Sequence, residues 1–450
     1  MPVVFEIKQG DETLTSHSGL ALIGALIERT RLREKLNQIQ LMGCQNPKIS
    51  HADMVFSMLG LICLGKPYYD AVEHFRENNF FHQCLGVETC PSSSSLRQRI
   101  DIIKNKFDDI LKSESAELIR RIAQQISPVE TSLGKFVPLD IDVSPFDNSK
   151  TCKEGVSRTY KGFDGFAPIF GYLGKEGYLV NLELREGSQH CQKNTPQFIT
   201  SCIDYAKKIT DQPLLVLLDS GNDSADTRTS CQTGQVDFII KRNLRKENPQ
   251  DWLKLAMQIG TSVPCRQGKK IWRGKTFLDL KGNPLPLPIV FDVAERTTKK
   301  GQALLFPELT VDTYWSSLDL SPYETIMLYH DHATSEQFHS ELKSDMDLER
   351  LPSGQFSSNA FILLVGMLGY NLLRLCGQES LREDNGNTEK TPRLRKPAQR
   401  RRIRTVMLDL IYVAGRIIHT SRKWFISMGK ANPFASLWGG IYRRFASDIL

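Results

Sequence analysis

Phe136-Val137-Pro138-Leu139-Asp140-Ile141-Asp142 is a short apolar run that ends in acid. Leu214-Leu215-Val216-Leu217-Leu218-Asp219 repeats the pattern. Apolar runs of about four to eight residues bounded by turn signals read as buried strands. A carboxylate placed just past such a strand costs desolvation unless it meets a cation, a donor network or a metal. Either acid alone reads as an ordinary aspartate at a loop edge; the joint occurrence is what points to chemistry. Asp140 and Asp142 share one face of a strand, so either can serve as the first ligand. Ser144 and Pro145, which break the chain just beyond, favour Asp142. Asp219 opens the strand-to-loop turn Asp219-Ser220-Gly221-Asn222-Asp223, in which Asp223 either assists or caps the following helix.

Outward from these runs, apolar segments rich in Val, Ile and Phe recur at 167–174, 178–184 and 236–240, and a helical pattern spans Thr195 to Ile209. Three strands, a helix, a strand, a helix and a strand form the order of an RNase H-like α/β domain, over 131–243. From 244 to 325, alternating runs such as Lys270 to Phe277 and Pro286 to Phe291 lie between turn signals, which predicts a β-rich insertion. The domain resumes over 326–376 as its last helices. Residues 1–130 read as a helical, DNA-binding region, with three-to-four periodicity in Leu20–Leu41, Met54–Leu64 and Ile102–Ile122. Within it, Pro91 to Ile100 is a serine-rich helix start followed by two arginines. It is either a phosphate-contacting helix of a helix-turn-helix or an ordinary capped helix. The segment 377–400 reads as a linker, and a final basic helix is expected from Arg401 to Met428, within a basic C-terminal region 377–450.

The 450 residues carry 58 basic and 51 acidic side chains, so the +7 net charge matters through its distribution. Seven Lys or Arg and no acid lie between Arg393 and Arg404, a cluster suited to a polyanion or, more plainly, to solvent. The ten cysteines include no C-x-x-C pair, which argues against a zinc ribbon or finger and fits a reducing compartment. No basic-then-apolar export signal opens the chain. The longest apolar stretch, Phe361 to Cys376, contains Asn371 and Arg374 and is too short to span a bilayer, so a core helix is expected.

The third acid is Glu336, with Tyr329 seven residues before it, His332 four before it and Lys343 seven after it. On one helix all four share a face, a strip suited to metal and phosphate oxygens. Thr334-Ser335-Glu336-Gln337 is also a capping box, which would start the helix there and leave Tyr329 and His332 ahead of it. The histidines at 330, 332 and 339 do not match the spacing of a zinc protease motif.

Asp, Asp, then Tyr-x2-His-x3-Glu-x6-Lys resembles the DDE transposases of the insertion sequence 4 superfamily, whose third motif is Tyr-x2-Arg-x3-Glu-x6-Lys. Asp140 to Asn148, Lys153 to Gly165, Gly187 to Cys191 and Tyr329 to Lys343 look like the insertion sequence 1380 family, with similarity over nearly the whole chain. The resemblance implies an RNase H-like core and a β-rich insertion in the 117 residues between Asp219 and Glu336. It implies cut-and-paste transposition, with nicking at element ends followed by attack of the freed 3′-hydroxyl on target DNA. Asp142, Asp219 and Glu336 would hold two Mg²⁺ (or Mn²⁺) ions per site, as suits hard oxygen ligands. Tyr329 and Lys343 would contact phosphate. His332 departs from the family's Arg; it lacks the bidentate fork, and phosphate contact or a neutral hydrogen bond fits it equally. The implied partners are double-stranded DNA at terminal inverted repeats and target, and a second copy in a homodimer; a membrane is not implied, and the setting is cytoplasmic and nucleoid-associated.

Further DNA candidates are Lys241 and Arg242 after the last core strand, and Arg158 and Lys161 in a basic, aromatic turn with Tyr160. Trp315 is the candidate for stacking a flipped base, against ordinary core packing. Two other functions share these features: a decayed transposase that only binds element ends, and a metal-dependent nuclease without strand transfer.

Overall fold

The computed structural model describes residues 2–45, 47–103, 105–123, 125–278, 287–299, 302–331, 335–384 and 398–447. The chain forms two compact units, one of residues 115–340 and one of residues 1–114 with 341–450. The fold is mixed α/β.

The 115–340 unit is built on one large mixed sheet. Its strands are β1 (Gly134–Val143), β2 (Ile169–Leu173), β3 (Tyr178–Glu183), β4 (Leu214–Leu218), β5 (Asp237–Lys241), β6 (Thr261–Val263), β7 (Lys269–Leu278), β8 (Leu287–Lys299) and β9 (Gln302–Ser316). Their spatial order is β6-β7-β8-β9-β5-β4-β1-β2-β3, and the short strand Val129–Thr131 pairs with β1. β1, β4 and β5 run parallel, β2 runs antiparallel to β1, and β3 runs antiparallel to β2. All five residues of β4 are buried, as are the middle six of β1. That accounts for their near-continuous apolar sequence: strands covered on both faces do not alternate.

Two helical layers cover this sheet. Helix α1 (Thr195–Ile209) begins with Pro at its first turn and buries Phe198, Ile199, Cys202, Ile203 and Ala206. It comes close to the sheet at Gly171, where a Cβ would lie 2.6 Å from Cys202 Sγ. Helix α2 (Ala225–Thr233) is capped by Ser224, whose hydroxyl accepts from the Thr227 N–H at 3.1 Å; Asp223 is therefore not the cap. On the opposite face, α4 (Pro322–Asp331) sends Ile326 and Leu328 into a core with Leu215, Leu217, Ile239, Val290 and Tyr314.

The expected β-rich insertion opens with a helix, α3 (Pro249–Ile259), before its strands. Those strands do not form a separate sheet. β9 pairs antiparallel with β5 through Ile239–Ser316, Ile240–Trp315 and Lys241–Tyr314, so the hairpins extend the central sheet.

The other unit is helical. His51–Cys63, capped by the Ser50 hydroxyl, is buried at all thirteen positions. It packs against the 29-residue helix Phe356–Asp384. That helix contains the apolar stretch 361–376 and is a core helix of its unit. Its Arg374 is fully buried and ion-paired to Glu341, which also accepts from Tyr370 (3.2 Å) and Arg400 (3.0 Å). Ser93–Ile103 is a capped helix: Ser92 Oγ accepts from Ser95 N–H, Arg97 lies over Tyr69, and Arg99 is buried against His51.

The expected helix from Arg401 to Met428 is corrected. Only Ile403–Ile411 is helical; strands β10 (Gly415–Thr420) and β11 (Lys423–Met428) then form a hairpin, flanked by the short strand Thr13–Thr15, before helix Ala435–Ala446. Ile417, Ile418, Thr420, Trp424, Phe425 and Ile426 are β-branched or aromatic, and such side chains fit a pleated surface better than a helix.

Candidate active site

The register between β1 and β4 places the two aspartates. Asp140 pairs with Leu217 and Ile141 with Leu218. The next residues along are Asp142 and Asp219, so they sit side by side at the carboxyl ends of adjacent parallel strands. Neighbouring strands run about 4.8 Å apart. Paired residues point to the same side, and this side is the one α4 covers. Asp140 faces the same way but lies one step deeper, buried between Leu217 and Tyr172.

Both carboxylates are held. Asp142 Oδ1 accepts from the Val143 N–H at 2.7 Å, and His339 Nε2 lies 3.2 Å from its Oδ2. The buried His339 also places Nδ1 3.2 Å from the Tyr172 hydroxyl, so its ring is fixed from both nitrogens. Asn222 donates to Asp219 Oδ1 at 2.6 Å. The Cys191 thiol bonds the Gly221 carbonyl, and burial followed by the Asp219 charge pushes its pKa up.

Two phenols report the same charges. Burial, then Asp142 and Asp219, raise the Tyr160 pKa to about 12. Burial and the same two acids, Asp219 ahead of Asp142, also raise that of Tyr329, which packs on Tyr314. Both phenols are protonated at neutral pH and can donate to an anion between the strand ends.

The turn carrying Tyr160 is tied to the loop before α1. Ser157 and Ser188 share a hydroxyl contact, and a Cβ on Gly187 would lie 2.1 Å from the Ser157 carbonyl oxygen. Through Tyr160 at Val143 and Cys191 at Gly221, the blocks 153–165 and 187–191 both lie beside the two acids.

Glu336 stands differently. It lies in the first turn of α5 (Ser335–Ser340), and its side chain is exposed. The same short helix carries His339, so the element that holds Glu336 is the one that reaches Asp142. Tyr329 is on helix α4, His332 lies outside the described residues, and Lys343 falls in a π-helical turn, Glu341–Asp345. Between Glu336 and Lys343 the chain passes from α5 into that π turn, so their seven-residue spacing is not two regular α-helical turns. Among the described residues, no group of three or more His, Cys, Asp or Glu is gathered closely enough to hold a metal ion. Asp142 and Asp219 fit as two hard oxygen donors.

The other candidates are mostly engaged internally. Lys241 pairs with Asp312 at 2.7 Å, and Arg242 is buried against Glu247. Arg158 pairs loosely with Asp164, and Lys161 is exposed. Trp315 is only 4% exposed, with the Arg228 and Arg242 guanidinium groups each 4.8 Å from its ring and its Nε1–H donating to Asp223. In this arrangement the ring is packed and is not offered to a base. Asp223 anchors that cluster, accepting also from the Asn243 N–H and pairing with Arg228.

The chain matches the family model Transposase DDE domain group 1 over residues 4–262, more than half its length, and it belongs to that family of DDE transposases. The match ends ahead of Glu336. No curated protein matches the chain. Among solved structures it is similar to the cryo-EM structure of the piggyBac transposase synaptic complex with hairpin DNA, at 10% identity and a TM-score of 0.42, over 95% of this chain and 80% of that one.

Proposed function

We propose that the chain is an active transposase of the insertion sequence 1380 family, moving an element by hydrolytic cleavage at its ends and strand transfer into target DNA. The observation that carries this reading is the register of Asp142 beside Asp219 at the ends of β1 and β4. The order β3-β2-β1-β4-β5, with β2 antiparallel, supports reading this sheet as an RNase H-like core. Asp142, Asp219 and Glu336 would hold Mg²⁺ or Mn²⁺. Such a pair of ions supplies an activated oxygen nucleophile and stabilises the leaving oxygen in phosphodiester transfer. His339 and Asn222 orient the two aspartates, as outer partners of metal ligands do. Tyr160 and Tyr329 donate hydrogen bonds to the scissile phosphate, and Lys161 adds positive charge beside it. The partners are duplex DNA and a second copy of the chain.

One observation favours a second reading, a binder of element ends that does not cut: Glu336 is exposed, and among the described residues no three acids are gathered to hold a metal ion. A plasmid carrying the element ends separates the readings. Incubated with Mg²⁺, the protein should cut at the 3′ ends and join them to target DNA. Asp142→Asn, Asp219→Ala and Glu336→Ala should each abolish both steps, and the two aspartate variants should also lose Mn²⁺ binding in calorimetry. Undiminished cleavage in any of the three sinks the assignment. Binding without cleavage by the parent supports the second reading, and cleavage without joining marks a nuclease.

A further inference from the structure

The hairpin β10–β11 carries basic side chains that find no acidic partner among the described residues. From Ile411 to Ser447 there are six Lys or Arg and no Asp or Glu. Arg416, Arg422, Lys423 and Lys430 form no ion pair among the described residues. The basic run that ends at Arg404 behaves oppositely. Arg400 pairs with Glu341, Arg401 with Asp409, and Arg402 and Arg404 with the buried Asp345. The described arginines of that run are spent inside the fold, and those of the hairpin are not.

The ribbon's two faces differ. Gly415, Ile417 and Ile426 form the root of one face, where a Cβ on Gly415 would meet Ser18. At the tip of that face His419 and Trp424 stack, with ring centroids 4.2 Å apart. The other face bears Leu14, Arg416, Ile418, Thr420, Lys423, Phe425 and Ser427, with Leu14 71% and Phe425 47% exposed. The turn is two residues, Ser421 and Arg422, at φ of 50° and 65°. Both positions belong to a left-handed turn that favours Asn-Gly. Here the second position holds a long cation where glycine would fit more easily.

We infer that this hairpin is a duplex-DNA-binding ribbon that enters a groove tip first. The inference rests on the transposase reading and adds to it a site and an element. A two-stranded ribbon fits the major groove, about 12 Å wide. Six residues per strand span about 20 Å, enough to carry Arg422 and Lys423 to the phosphates on either side. Thr420 and Ser421 supply hydroxyls for backbone or base edges. The tip is polar and cationic, which disfavours insertion into a lipid surface. Trp424 already has one ring face covered by His419, which disfavours a single-strand stacking platform.

The test uses the full-length protein and an arbitrary duplex about three helical turns long, titrated by fluorescence anisotropy from about 50 to about 200 mM salt. Arg422→Glu with Lys423→Glu should weaken binding at least about tenfold, and lower the slope of log affinity against log salt by about 1.8, or about 0.9 per lost phosphate contact. Arg422→Gly should melt no lower than the parent, because glycine suits the turn, yet should bind more weakly with a slope about 0.9 shallower. Unchanged affinity and slope in both variants overturn the ribbon while leaving the transposase reading intact. Failure of the parent to bind duplex at any salt overturns both. Loss of binding to anionic vesicles with duplex affinity retained assigns the hairpin to a membrane surface and also overturns it.

Discussion

Tyr160 places its hydroxyl 3.2 Å from the Val143 carbonyl oxygen, one residue past Asp142. Burial and the charges of Asp142 and Asp219 raise its pKa from 10 to about 12. Below pH 10 the phenol is protonated folded or unfolded, and its contribution to stability is whole. Between about 10 and about 12 the unfolded chain ionises first, so that contribution is lost as pH rises through this window. The tyrosinate absorbance that distinguishes the parent from Tyr160→Phe, measured in a chelator, should therefore appear above the ordinary tyrosine range. With Asp142→Asn and Asp219→Asn together it should shift part of the way back, leaving the share due to burial. An unmoved midpoint would mean that the two carboxylates are not its charged neighbours. The sequence made both strand-end acids legible, but alternation along one strand could not choose between Asp140 and Asp142; the register with β4 sets Asp142, and not Asp140, beside Asp219. His339 was visible only as a histidine at the wrong spacing for zinc, because its partner Asp142 is 197 residues away. Trp315 was legible as an aromatic, whereas the arginines enclosing it come from two other segments.

Helix α5 owes its position to a contact that no local pattern announces. Gly177, in the turn between β2 and β3, has a φ of +72°, and a Cβ there would lie 2.2 Å from the Phe338 ring. Phe338 packs on Tyr172 and immediately precedes His339. Gly177→Ala combines a left-handed residue, costing about 1–2 kcal/mol, with overpacking, costing about 1–3 kcal/mol. It should lower stability by about 2–5 kcal/mol in denaturant titration, and it should impair cleavage beyond what that loss explains, by displacing α5. Normal cleavage in a folded Gly177→Ala would show that α5 does not need this seat. The central strands were readable because burial on both faces makes their sequence continuously apolar. The spacing from Glu336 to Lys343 was not, because Lys343 falls in a π turn that directly follows α5. Both end residues of that turn, Glu341 and Asp345, are held by arginines from later in the chain. The C-terminal hairpin was misread because basic residues masked the β-branched and aromatic run beneath them.

At the scale of the molecule, the chain's two ends make one unit, and no linear reading of domains anticipates that. Residues 1–114 supply His51–Cys63, buried at every position. A helix buried on every side exists only where other elements enclose it. Much of that enclosure is the helix Phe356–Asp384, which arrives more than two hundred residues later. The fragment 1–114 should therefore lack a cooperative thermal transition when made alone. It should retain helical circular dichroism and bind a hydrophobic dye, the signature of secondary structure without fixed packing. Adding the fragment 341–450 should restore a cooperative melt and suppress dye binding, because the missing half of the core is then present. The 115–340 fragment carries its own sheet and both helical layers, so it should melt cooperatively without either end. A sharp transition in 1–114 alone would place its core entirely within the N-terminal helices and refute the shared unit. Failure of 115–340 to fold would show that the sheet requires the terminal unit as a template.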